Sequence, residues 1–66
     1  MTFAEFVLSA RKKLALSQKQ LANALNVSYS TINRWENGHV LPSNLAMKSF
    51  NTFCASNSID VPDKYL

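Results

Sequence analysis

The segment from Leu16 to Gly38, which reads LSQKQLANALNVSYSTINRWENG, constrains the fold more than any other part of this 66-residue chain. Its apolar residues recur at helical spacing on two short stretches. Asn26 lies between them and is a residue type that tolerates the left-handed backbone of a helix end. The positions predicted to face inward are Leu21, Ala22, Leu25, Val27, Ile32 and Trp35. The segment therefore predicts two short helices that pack at an angle across a tight turn.

Four helix starts are predicted from residues that cap helices well, because their side chains accept hydrogen bonds from the first free backbone N–H groups. Two of these starts also have the spacing of a capping box, with Glu or Gln three residues later. The predicted caps are Thr2 (with Glu5), Ser17 (with Gln20), Ser28 and Ser43. The third helix is expected to end at Asn37-Gly38, which is a turn signal.

Apolar residues at helical spacing on the first and fourth helices complete a predicted core. They are Phe3, Phe6, Val7, Ala10 and Leu14 on the first helix, and Leu45, Ala46, Met47, Phe50, Phe53 and Cys54 on the fourth. The C-terminal apolar residues Ile59, Val61, Tyr65 and Leu66 are expected to cover the core around Pro62, and they are also candidates for contact with a second copy. The sequence predicts an all-α fold of four to five helices in one domain, residues 1–66.

The charge distribution favours a polyanionic partner. The net charge is +3, and five of the seven basic residues lie between Glu5 and Glu36 with no acid among them. Those five are Arg11, Lys12, Lys13, Lys19 and Arg34. A basic central stretch in a small domain is typical of a protein that binds nucleic acid.

Composition argues against several other classes of protein. No run approaches the ~18 apolar residues of a membrane span, and the single cysteine, Cys54, suits a reducing compartment, so we expect a cytoplasmic protein. One histidine, one cysteine and four scattered carboxylates do not form a catalytic cluster. His39 has no Cys or acidic cluster beside it. We therefore expect no enzyme activity, no metal, no cofactor and no small-molecule ligand.

The third predicted helix has a polar face opposite its apolar one. With Ile32 and Trp35 facing inward, a wheel of 3.6 residues per turn places Ser30, Asn33, Arg34 and Asn37 on the outer side, flanked by Tyr29 and Thr31. An α-helix that presents such a face fits the major groove of DNA.

The segment resembles the helix-turn-helix of the phage repressor and Cro family, also called the XRE family. The matching residues are Leu16-Ser17-Gln18, Leu21-Ala22, Val27-Ser28, Ile32, Trp35-Glu36-Asn37-Gly38 and Pro42. The sequence departs from the family at Asn26, where the family usually has Gly, but Asn tolerates the same backbone. The resemblance implies a compact lambda-repressor-like DNA-binding domain.

The resemblance also implies roles for individual residues. It assigns base reading to Tyr29, Ser30, Asn33 and Arg34, which agrees with the ability of Asn to pair with adenine and of Arg to pair with guanine. Phosphate binding is expected of Gln18, at the start of a helix, and of Lys19, Ser28, Thr31 and Asn37. Arg11 and Glu36 match a pair that forms a salt bridge between the first and third helices.

The predicted function is a sequence-specific regulator of transcription that binds double-stranded DNA. Within that interpretation we expect a repressor that binds a palindromic operator as a homodimer through residues 29–37. An alternative is a protein-interaction module, such as an antitoxin or an accessory subunit, built on the same helices. Another is the DNA-targeting piece of a restriction-modification controller.

Overall fold

The structure is a computed structural model that describes residues 1–38 and 41–65. The described residues form α1 (Phe3–Lys13), α2 (Gln18–Leu25), α3 (Tyr29–Glu36) and α4 (Asn44–Ser56), followed by a short 3-10 helix (Asp63–Tyr65). No strand occurs within these ranges. The all-α fold predicted from the sequence is confirmed. His39 and Leu66 lie outside the described residues.

Each α-helix begins after a hydroxyl side chain that accepts a hydrogen bond from a backbone N–H. The capping residues are Thr2, Ser17, Ser28 and Ser43, as the sequence predicts. The boxes at Thr2 and Ser17 are complete, because Glu5 and Gln20 accept hydrogen bonds from the backbone N–H of the capping residue. A cap of this kind typically stabilises a helix by about 1 kcal/mol.

A single core joins the four helices. Its buried residues are Phe3, Phe6, Val7, Ala10, Leu21, Ala22, Ile32, Trp35, Phe50, Cys54 and Ile59. The helix α3 packs against both α1 and α2, and it is anchored by Ile32 and Trp35, which are 0% and 6% exposed. Burying side chains of this size contributes about 1.5–3 kcal/mol each. The inner face of α3 therefore fixes the helix, and its outer face remains at the surface.

Aromatic rings dominate the part of the core beneath the C-terminal segment. Phe3 meets four other rings edge to face, at centroid distances between 5.4 and 6.3 Å. Tyr65 stacks on Phe6 with the ring planes 5° apart, and its hydroxyl donates to the carbonyl oxygen of Met1. Ile59 is buried and Val61 packs against the core. The C-terminal segment therefore covers the core, as the sequence predicts.

This packing corrects two expectations. Ile59 is buried in the chain's own core and offers no free surface for contact with a second copy, and Tyr65 is half-buried with its ring stacked on Phe6. Leu45 was expected in the core but is 80% exposed. It precedes the buried Cys54 by nine residues, which is two and a half helical turns, and therefore lies on the opposite side of α4.

The thiol of Cys54 is enclosed by the core. Burial raises the pKa of this thiol to about 11, so it stays protonated at neutral pH. That state fits a packing residue and not a reactive one. None of the helices in residues 1–38 and 41–65 is long and apolar enough to cross a membrane.

Candidate nucleic-acid interface

The turn between α2 and α3 sets the angle at which α3 is presented. Asn26 ends α2 in the left-handed conformation, with a φ of 57°, as the sequence predicts. The backbone N–H of Val27 then donates to the carbonyl oxygen of Ala22 at 2.9 Å, which closes the end of α2. This arrangement leaves Ser28 in an extended conformation at the start of α3. Two helices separated by so short a turn form a rigid angled pair.

The outer face of α3 is polar and open. Ser30 and Arg34 are exposed, and Tyr29 is 52% exposed. None of these three side chains makes a hydrogen bond within the part of the chain that the structure describes. Side chains that are held on a packed helix but have no partner of their own are suited to contact a ligand surface.

Ser28 and Thr31 lie together at the start of α3. The Ser28 hydroxyl accepts from the backbone N–H of Thr31 at 3.2 Å, and the two hydroxyl oxygens lie 2.9 Å apart. Both were predicted to contact phosphate. Their hydroxyl groups stand beside the first turn of the helix, where the positive end of the helix dipole favours an anion.

An ion pair joins α1 to α3. Arg11 Nε donates to Glu36 Oε2 at 2.7 Å, and Arg11 Nη2 donates to Glu36 Oε1 at 3.0 Å. A third donor, Arg11 Nη1, reaches the carbonyl oxygen of Leu16 at 3.0 Å. The side chains of Arg11 and Glu36 are 18% and 8% exposed. The bidentate geometry is the strong form of a carboxylate–guanidinium pair. It therefore holds α1 against α3, on which the outer face lies.

The same carboxylate is the end of a row of side-chain amides. Gln18 Nε2 donates to Glu36 Oε1 at 3.0 Å, which links the start of α2 to the end of α3. Asn33 Nδ2 donates to Gln18 Oε1 at 3.4 Å. Asn37 Nδ2 donates to Asn33 Oδ1 at 2.9 Å. We call Gln18, Asn33 and Asn37 the amide row.

Positively charged side chains outnumber the one acid, Glu36, at this surface. Burial raises the pKa of the Glu36 carboxyl, but the hydrogen bonds from Arg11 and Gln18 and the charge of Arg11 lower it by more, so the pKa lies below its ordinary value. Glu36 is therefore ionised at neutral pH, and the charge of Arg11 compensates it. Lys19 and Arg34 are exposed and add positive charge without an acid nearby in sequence.

The predicted site residues thus fall into three groups. Tyr29, Ser30 and Arg34 form the open outer face, and Lys19 stands exposed beside the start of α2. A second group, Ser28 with Thr31, is joined at the start of α3. The third consists of the amide row and the ion pair, which share Glu36.

The amide row is the feature that sequence reasoning missed. The spacing of Asn33 and Asn37, four residues apart on one helix, was a signal for one of its bonds. The bond from Asn33 to Gln18 crosses between two helices. It depends on their packing angle, which residue spacing does not give.

A family model described as helix-turn-helix matches residues 7–49, well over half of the chain. The chain belongs to this family, whose members are XRE-type DNA-binding transcriptional regulators and are generally not enzymes. No curated protein and no solved structure matches the chain.

Proposed function

We propose that this chain is a sequence-specific repressor that binds a palindromic operator in double-stranded DNA as a homodimer. Residues 1–66 would act as one DNA-binding domain in the cytoplasm, the compartment that the sequence favours. The observation that carries the proposal is the outer face of α3, which exposes Ser30, Arg34 and Tyr29 on a helix whose inner face is locked in the core. A helix of this kind fits the major groove.

The open side chains have the chemistry that base reading needs. Arg34 presents a planar set of donors that pairs with the O6 and N7 atoms of guanine. Ser30 donates or accepts, and the ring of Tyr29 offers an apolar contact to a thymine methyl group. Asn33, the fourth residue expected to read bases, is half-buried and already uses both ends of its amide within the protein.

Residues beside the outer face are proposed to bind the phosphate backbone. Lys19 supplies a positive charge, and the amides of Gln18 and Asn37 supply neutral donors. The hydroxyl groups of Ser28 and Thr31 lie at the start of α3, where the helix dipole favours an anion. Contacts of this type fix the register of the protein on DNA but carry no sequence information directly.

The test is selection of bound sites from random duplex DNA, followed by titration of two variants. Arg34→Ala should cost about 1–3 kcal/mol on the selected site and relax the preference at one base pair per half-site. Lys19→Ala should weaken binding to every duplex and lower the slope of log affinity against log salt by about one unit. A selected site that lowers reporter expression when placed in a promoter would support repression.

A different outcome would favour the runner-up. Leu41 and Leu45 are 70% and 80% exposed, and apolar side chains of this size are also found where a protein partner docks. If selection enriches no sequence and Arg34→Ala leaves DNA affinity unchanged, the DNA-reading proposal is wrong. The protein-interaction module then becomes the better hypothesis.

A further inference from the structure

We infer that Asn33 is a positioning residue that holds the amides of Gln18 and Asn37 toward DNA phosphate, in an orientation set by Glu36. The inference rests on the proposed DNA-binding function. It changes the role of Asn33 from reading a base to orienting the side chains that bind the phosphate backbone of DNA.

The direction of the amide row follows from the carboxylate at its end. An ionised carboxylate only accepts hydrogen bonds, so Gln18 must turn its nitrogen toward Glu36. The Gln18 oxygen then faces Asn33, which must present its own nitrogen. The Asn33 oxygen in turn faces Asn37, which must donate. The carboxylate of Glu36 therefore sets the orientation of all three side-chain amides in the row.

This direction leaves a free donor on each residue of the row, and the only oxygen that the row does not engage is that of Asn37, at its outer end. Each amide nitrogen carries two N–H groups, and the row uses one from each residue. The oxygens of Gln18 and Asn33 are engaged inside the row, whereas each nitrogen keeps one N–H. A phosphate oxygen only accepts, so it is complementary to the remaining N–H groups. Base edges offer both donors and acceptors and are matched less well by such a row.

The position of Asn33 on α3 agrees with this role. It is half-buried and turned toward the start of α2, where it contacts Gln18. Ser30 and Arg34, which lie one turn apart on α3, are exposed and make no hydrogen bond to Gln18. In the proposed complex the strip of Ser30 and Arg34 enters the groove, whereas Asn33 lies beside Gln18 and the phosphate contacts expected there.

The experiment compares Asn33→Ala with Arg34→Ala on the selected site, its single-base variants and random DNA at two salt concentrations. Asn33→Ala should weaken binding to all duplexes by about tenfold, the size of a lost hydrogen bond to a charged group. It should leave the preferred sequence unchanged. It should also leave the salt slope unchanged, because no cation is removed. Arg34→Ala is the matched neighbour that should relax the preference.

Asn33→Asp separates the two roles more sharply, because it keeps the shape of Asn. The aspartate still accepts from Asn37 but cannot donate to Gln18. A base-reading residue changed in this way should shift the preference toward cytosine, whose N4 group donates. A positioning residue should instead lower affinity for all sequences by more than Asn33→Ala does, since a negative charge is placed near phosphate. A shift toward cytosine would overturn the inference.

A readout without DNA completes the test. The side-chain amide signals of Gln18 and Asn37 in a 15N–1H spectrum should move in Asn33→Ala and stay in place in Ser30→Ala, the exposed control. Unmoved signals in Asn33→Ala would show that the row does not exist in solution. If the proposed function is wrong, the result is different. The parent then shows no preferred DNA sequence, but the amide signals of Gln18 and Asn37 still move in Asn33→Ala.

Discussion

Ala15 lies between α1 and α2 in the left-handed backbone region, with a φ of 55°. Its backbone N–H donates to the carbonyl oxygen of Lys12 at 3.0 Å, and the N–H of Leu16 then donates to that of Arg11. These bonds close the end of α1. A residue with a Cβ atom pays a steric cost in this conformation, whereas glycine does not. The alanine therefore holds a turn that its own backbone preference opposes.

We expect Ala15→Gly to stabilise the domain by about 0.5–1 kcal/mol, because relief of the left-handed strain exceeds the added entropy of the unfolded chain. For a domain of this size, that raises the melting temperature by a few degrees. Ala24→Gly is the matched control. Ala24 is exposed within α2, so the same substitution should destabilise the domain by up to about 1 kcal/mol. If both variants change the free energy of unfolding in the same direction, the prediction is wrong.

The two left-handed residues that flank α2 show how far the sequence predicts local structure. Asn26 was predictable, because Asn is the usual substitute for Gly at a helix end. Ala15 was not, because no property of alanine favours positive φ. Leu45 shows a related limit: its apolar side chain suggested burial, but the helical phase of α4 places it outside. Helix caps and apolar spacing thus predicted the helices. The left-handed conformation of Ala15, which opposes the backbone preference of alanine, was visible only in the structure.

At the scale of the elements, the ion pair between Arg11 and Glu36 connects the ends of two helices that are far apart in sequence. The pair supports the packing of α1 on α3, and through Glu36 it also supports the direction of the amide row. The pairing of charges could be anticipated from the family resemblance. The sharing of Glu36 by Arg11 and Gln18 depends on where α2 meets α3, which no local pattern encodes.

We expect Glu36→Gln to destabilise the fold by about 2–3 kcal/mol. Loss of one partner of a buried pair costs ~3–5 kcal/mol, and the cost is lower here because Arg11 still reaches water. Thermal melting at neutral pH measures the effect, and the melting temperature should fall by about ten degrees or more. Glu5→Gln is the control, since it removes the same charge from an exposed capping box in which Gln also functions. A Glu36→Gln variant that melts within a degree of the parent would contradict the prediction.

The same pair gives the parent a defined pH dependence. The pKa of Glu36 is lowered in the folded state, so the unfolded chain binds the proton more tightly. The contribution to stability is therefore present above the ordinary glutamate pKa of about 4.3. It is lost as the pH falls through the lower folded-state value. Urea melts between pH 7 and pH 3 should show a smaller loss of stability for Glu36→Gln than for the parent.

At the scale of the whole molecule, the two ends of the chain close one core. Tyr65 stacks on Phe6 near the N-terminus, and the Asn51 side chain donates to the carbonyl oxygen of Tyr65. This closure uses Ile59 and Tyr65, two of the residues that the sequence offered as a second surface. Among the residues that the structure describes, Leu41 and Leu45 are exposed apolar side chains near the start of α4. The chain exposes 4304 Å² in total, and a stable interface takes ~800 Å² from each partner. Two leucines supply a small part of that area.

We therefore expect two copies to pair on DNA and to associate only weakly in free solution. Half-sites should lie about one helical turn apart, ~34 Å, because the two α3 helices must enter successive major grooves on the same face of the duplex. Leu45→Ser should reduce affinity for the palindromic site, measured by titration. It should leave the affinity for an isolated half-site unchanged, which is the control because no second copy binds there. Leu41→Ser should behave in the same way if both leucines form the contact. A non-palindromic site bound by one chain per duplex would rule out the homodimer, and a loss of half-site affinity in Leu45→Ser would place this side chain in the fold of the monomer instead.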